Sequence, residues 1–92
     1  MFKWINKQTV ESDLGFILQF TGRFSAEYRE NGRKMTLDIE FGSGAGGPCV
    51  IVERSSFKRW DNDSVPLSEE EQNRVINNFT SACEFQDLEV DI

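Results

Sequence analysis

The side chains able to do chemistry in this 92-residue chain are mostly carboxylates: sixteen Asp and Glu, no histidine and two cysteines. The absence of histidine removes the commonest general base, the usual partner of a serine or cysteine nucleophile, and the usual zinc ligand. Cys49 and Cys83 lie far apart among apolar residues. They read as buried reduced thiols, neither a zinc site nor a disulfide framework. Asp61-Asn62-Asp63 opens like a calcium loop, but Val65 and Pro66 stand where a further ligand and the turn glycine belong. Glu69, Glu70 and Glu71 could serve carboxylate-only hydrolysis if a deep cleft held two of them at the right spacing, which a small domain seldom provides. Residues 42–47 match G-x-G-x-x-G as a string, but a proline and the apolar run 49–52 follow in place of a helix, so they read as a flexible hairpin loop. No catalytic residue, cofactor or metal site is expected.

Charge is unevenly spread. Residues 1–60 carry nine basic and seven acidic side chains, whereas residues 61–92 carry one basic residue, Arg74, against nine acidic ones. Such a field repels nucleic acid and attracts basic protein. The nearest candidate for nucleic-acid contact, Phe57-Lys58-Arg59-Trp60, is one short cluster beside an acidic tail, so no direct nucleic-acid contact is expected. Met1-Phe2-Lys3-Trp4 lacks the basic start and apolar core of a secretion signal, and no run approaches the length of a membrane span. The expectation is a cytoplasmic chain without membrane contact.

The elements that would carry these residues follow from periodicity. Residues 68–83 read as the one helix. Ser68 can accept from the N–H of Glu71, three glutamates occupy the first turn, and Val75, Ile76, Phe79, Ala82 and Cys83 recur at helical spacing. Before it come strands. Phe2 and Trp4 fit a short edge strand, with a turn at residues 11–13. Leu14, Phe16, Leu18 and Phe20 alternate inward. Asn31-Gly32 fits a two-residue type I′ turn, and the register it sets pairs Tyr28 with Met35, Ala26 with Leu37 and Phe24 with Ile39, with Arg23 opposite Glu40 outside. Residues 49–52 are apolar throughout and read as a strand covered on both faces. Leu88, Val90 and Ile92 alternate in a last strand, parallel to 49–52 if the two are neighbours. The expected fold is α+β, a single domain over residues 1–92. Its sheet is mainly antiparallel, of about five strands (a hairpin meander, then β-α-β), with one helix on one face.

Three blocks of residues carry a likeness to known proteins. They are the run from Tyr28-Arg29-Glu30-Asn31-Gly32-Arg33 to Thr36, the run Val52-Glu53-Arg54-Ser55-Ser56-Phe57-Lys58-Arg59-Trp60-Asp61, and the tail from Pro66-Leu67-Ser68-Glu69 through Arg74-Val75-Ile76 to Leu88-Glu89-Val90. Together they resemble a small α/β immunity-protein family of bacterial polymorphic-toxin and contact-dependent growth inhibition systems. The chain departs from the family pattern at Asn62-Asp63-Ser64, where prolines usually follow Trp-Asp, and its first 27 residues carry no likeness. The resemblance implies a cytoplasmic, non-enzymatic antitoxin that binds a cognate toxin C-terminal domain, often a basic nuclease, and covers its active site or a surface it needs. On that basis the partner-binding residues are expected on the acidic side: Asp61, Asp63, Glu69, Glu70 and Glu71, with Trp60 either an aromatic anchor or a plug beneath the helix. A small adaptor or subunit of another bacterial assembly shares the same physics. Self-association is left open, since an exposed edge strand near residues 1–10 could pair with a copy or a partner strand.

Overall fold

The computed structural model describes residues 2–92. Its strands are β1 (Phe2–Asn6), β2 (Thr9–Ser12), β3 (Phe16–Phe20), β4 (Ser25–Glu30), β5 (Arg33–Gly44), β6 (Gly47–Val52) and β7 (Glu89–Asp91); the α-helix is α1 (Glu69–Phe85). Spatial order follows chain order across one sheet. Every neighbour pair through β6 is antiparallel, and β6 and β7 are parallel with α1 as their crossover. The fold is therefore α+β, as the periodicity predicts, with seven strands where about five are expected.

The β4–β5 hairpin forms in the register that the Asn-Gly turn dictates. Asn31 and Gly32 both take positive φ, 53° and 76°, as a type I′ turn needs. Tyr28 faces Met35 and Ala26 faces Leu37, and all four are fully buried. The ladder stops at Ser25 and Asp38. Beyond it the N–H of Ile39 still donates to the carbonyl of Phe24 at 3.0 Å, but the Phe24 ring turns outward, 60% exposed. The expected inward Phe24–Ile39 pair and the Arg23–Glu40 ladder pair are not formed.

Two further differences concern an added strand and a tighter turn. Residues 9–12 form β2, so the turn falls at 13–15 instead of 11–13. Ser12 organises it: its hydroxyl accepts from the N–H of Leu14 (3.0 Å), and its carbonyl accepts from the N–H of Gly15 (3.1 Å), whose φ is +98°. Leu14, expected inward, lies in this turn and is exposed. Residues 42–47 are no flexible loop, because β5 and β6 stay paired to Gly44 and Gly47 and leave only Ala45-Gly46 as the turn. The carboxylate of Glu89 packs directly on Gly44 and Gly46, where a Cβ would push it aside. In β6 the residues alternate: Val50 and Val52 are buried while Ile51 is 41% exposed. The strand is central in the sheet but covered on one face, because α1 packs on one side only.

The helix follows its capping signals. Ser68 Oγ accepts from the N–H of Glu71 at 3.2 Å. Val75, Ile76, Phe79, Ala82 and Cys83 form its buried face, and the helix runs two residues past the expected end. Phe57, in a 3₁₀ turn at Arg54–Phe57, meets Phe79 edge-on, with ring centroids 5.6 Å apart. The sheet curls until both edges approach the C-terminal end of α1. Phe2 and Trp4 on β1 lie against Phe85 at 5.3 and 5.9 Å, and β7 starts four residues after it. Among the described residues, no helix is long and apolar enough to cross a membrane.

Candidate functional site

The acidic start of α1 is held rigidly. Below the helix, Arg74 Nη1 donates to Glu30 Oε1 at 2.7 Å, and Tyr28 OH donates to the same oxygen at 2.6 Å. Asn78 Nδ2 in turn donates to Tyr28 OH at 3.0 Å. Beside it, Arg54 Nη2 donates to Asn73 Oδ1 at 3.2 Å. The hydrogen bond from Arg74 holds the Glu30 carboxyl below its ordinary range despite the opposing cost of burial. Burial, with the acceptor Glu30 alongside, pushes the Tyr28 hydroxyl well above its own. At neutral pH this is an anion clamped by one cation and one neutral phenol, a satisfied network that fixes where the first two helical turns sit on β4.

The incoming loop is tied down as well. Leu67 N–H donates to Lys58 O at 2.7 Å, and Gln72 Nε2 donates to Leu67 O at 3.1 Å. Asp61 N–H donates to Lys34 O at 2.7 Å, while its carboxylate accepts from the N–H (3.1 Å) and hydroxyl (2.5 Å) of Thr36. Asp61 thus anchors the loop to β5, with its carboxylate already occupied. Asp63 is exposed and accepts from the N–H of Val65 at 3.0 Å. Glu69, Glu70 and Glu71 are exposed on the first turn of α1. Asp63 and the three glutamates flank the tethered residues 64–68 and form one acidic front.

Trp60 does not join that front. It is 2% exposed, stacked on Tyr28 with ring centroids 6.0 Å apart, and covered by the Arg33 guanidinium 4.6 Å from its own centroid. An anchor must be exposed to reach a partner, and Trp60 is instead packed between Tyr28 and the Arg33 side chain. Its Nε1–H has no hydrogen-bond partner among the described residues. The other carboxylates of the last third, Glu84, Asp87, Glu89 and Asp91, are exposed at the far end of α1. A 17-residue helix separates the two acidic groups by on the order of 25 Å.

A second surface is absent from the sequence reading. Trp4, Phe20, Phe41 and Leu88 line an open groove of about 440 Å³, with Lys7 and Arg23 on one lip and Gln86 on the other. Trp4 pairs with the buried Val10, so both lie on the covered face of the sheet. Phe20 and Phe41 continue the inward series of β3 and β5, and their rings touch at 5.4 Å. They stay partly exposed because α1 ends at Phe85 while β5 runs on. Twelve strand residues span on the order of 40 Å, against about 25 Å for the helix. The mismatch shows only once β5 is seen to run on through Gly44, past the alternation that ends at Phe41.

Cys83 is buried, and burial pushes its thiol up to about 12, so it is a packing residue with no thiolate at neutral pH. Cys49 is half-buried. Among the described residues, no group of three or more His, Cys, Asp or Glu side chains is placed to hold a metal ion. Compared with known proteins, the chain matches no family model, no curated protein and no solved structure.

Proposed function

We propose that the protein is a cytoplasmic antitoxin of the immunity-protein type, which binds a basic toxin domain through the acidic front formed by Asp63, Glu69, Glu70 and Glu71. The observation that carries this is the pairing of exposed charge with a fixed scaffold. Three carboxylates project from a capped helix whose position is set by Arg74–Glu30, Asn78–Tyr28 and Arg54–Asn73. A partner meeting this front has little ordering left to do, which raises affinity for a given contact area. Its field accelerates encounter with a basic domain, as a phosphate-gripping nuclease would be. The resemblance of residues 28–36, 52–61 and 66–90 to immunity proteins supports the same role. A standard interface buries about 800 Å² on each partner. The first helical turn is too small for that, so the loop at 58–66 would join it.

The test is to co-purify the chain with the toxin domain encoded beside its gene and to measure association of wild type and E69K/E70K/E71K. The expected result is an association rate about tenfold lower for the variant at low salt, with the two rates converging at high salt. An equal rate at low salt removes the front as the binding surface. A subunit or adaptor of another bacterial assembly is the second reading, favoured by the groove, since a domain with two exposed surfaces about one helix length apart is suited to bridging.

A further inference from the structure

We infer that the groove between the β1–β2 turn and the segment after α1 is a docking site for a partner protein, which inserts one aromatic or aliphatic side chain flanked by a carboxylate. The floor is an unfinished piece of core. Trp4 is 51% exposed and Phe41 47%, although both lie on the face that is fully buried further along the same sheet. Together with Phe20 and Leu88 they leave a concave apolar surface that a single inserted side chain would cover.

Charge selects the kind of occupant. Lys7 and Arg23 come from two separate turns brought together by the hydrogen bond from Phe20 N–H to Gln8 O, 2.9 Å. Neither is in an ion pair among the described residues, and the Arg23 guanidinium is held only over the exposed Phe24 ring, 5.9 Å from its centroid. Two unpaired cations on one lip of an apolar groove complement a carboxylate next to an apolar anchor. The opposite lip carries Gln86, with Asp87 next in sequence, so the occupant's acid must face the Lys7–Arg23 side.

The same features weigh against other occupants. A second copy would bring together two chains of net charge −6, a repulsion that disfavours self-association. A strand adding to the edge of β1 would meet the register break between Trp4 and Asn6 and the flanking lysines, features that blunt edges. A lipid surface is flat, whereas Phe20 and Phe41 lie at the floor of a concavity, and Asp87 and Glu89 beyond the second lip repel anionic headgroups.

The test uses the full chain as bait for a display library of random twelve-residue peptides, followed by titration of the enriched peptides. The expected peptides carry an aromatic or aliphatic residue beside Asp or Glu. They should shift the fluorescence of Trp4, and should bind about tenfold more weakly to K7E/R23E and to Phe41→Ser, both on exposed positions, while E69K/E70K/E71K binds them unchanged. Four results would overturn the inference: no enrichment; enriched peptides indifferent to K7E/R23E; a concentration-dependent dimer of the free chain that Phe41→Ser abolishes; and binding to phosphatidylglycerol vesicles in place of peptides. Because the acidic front is varied separately, failure here leaves the antitoxin proposal standing, and its failure leaves the groove standing.

Discussion

The two ends of the covered sheet face are built from the same pattern and finish differently. At the end beneath the first half of α1, the inward residues Leu18, Tyr28, Met35 and Leu37 are fully buried, and even the polar atoms of Tyr28 and Glu30 find partners. At the other end, inward residues further along β3 and β5, Phe20 and Phe41, reach solvent although nothing in their alternation has changed. The difference is the cover and not the strand. Alternation says which way a side chain points, and the reach of the helix decides whether anything lies on top of it. One end is therefore closed and displays its charge on a rigid edge, while the other remains an apolar hollow beside two cations.

The sharpest way to break that comparison is to truncate one large indole at each end. Trp60→Ala removes a fully packed ring beneath the Arg33 guanidinium and should cost about 3–5 kcal/mol of unfolding free energy. Trp4→Ala removes a half-exposed ring and should cost about 1 kcal/mol. Equal losses in denaturant melts would mean that the groove is as much a core as the closed end. The next effect in size is at the polar network. Arg74→Ala strands the Glu30 carboxylate in a nearly buried site and should cost about 2 kcal/mol, the partly exposed arginine limiting the loss.

That network also sets a pH dependence. Glu30 titrates lower in the folded chain than in the unfolded one, whose ordinary value is 4.5. Its contribution is therefore present above pH 4.5 and lost as pH falls through the depressed folded value. Arg74→Ala should move the midpoint of acid unfolding to higher pH, and an unmoved midpoint would show that the pair does not stabilise the closed end. A smaller effect is expected for Trp60→Phe, about 1 kcal/mol, because the lost Nε1–H has no partner to leave unsatisfied. The smallest concerns the thiols. Iodoacetamide should modify half-buried Cys49 well before Cys83, whose thiol stays protonated on the buried face of α1.

Most of the closed end is legible in the sequence, because its signals are local and agree with one another. Asn31-Gly32 sets the register of the hairpin, Ser68 with Glu71 marks the helix start, and the stripe from Val75 to Cys83 marks the buried face. The parts that sequence misplaces depend on distant partners. Residues 42–47 look like a loose glycine loop until Glu89, more than forty residues on, is seen packed against Gly44 and Gly46. β2 hides because its turn is organised by Ser12 and Gly15 two residues later than the polar cluster suggests. Trp60 stays open between anchor and plug in the sequence and Asp61 looks like a surface candidate, and only the fold puts one under Arg33 and the other onto Thr36. The groove escapes notice for the same reason: Phe20 and Phe41 are assigned to the inward face, which is where they are, and nothing in their own strands reports that the helix stops short.

The footprint of a bound toxin domain, mapped by backbone amide shifts in the nitrogen-15-labelled chain, probes the role of the closed end most directly. An antitoxin working through the acidic front predicts the largest changes at residues 58–71, with Trp4, Phe20 and Phe41 unmoved. Changes confined to the groove, or none along the first turn of α1, would contradict it.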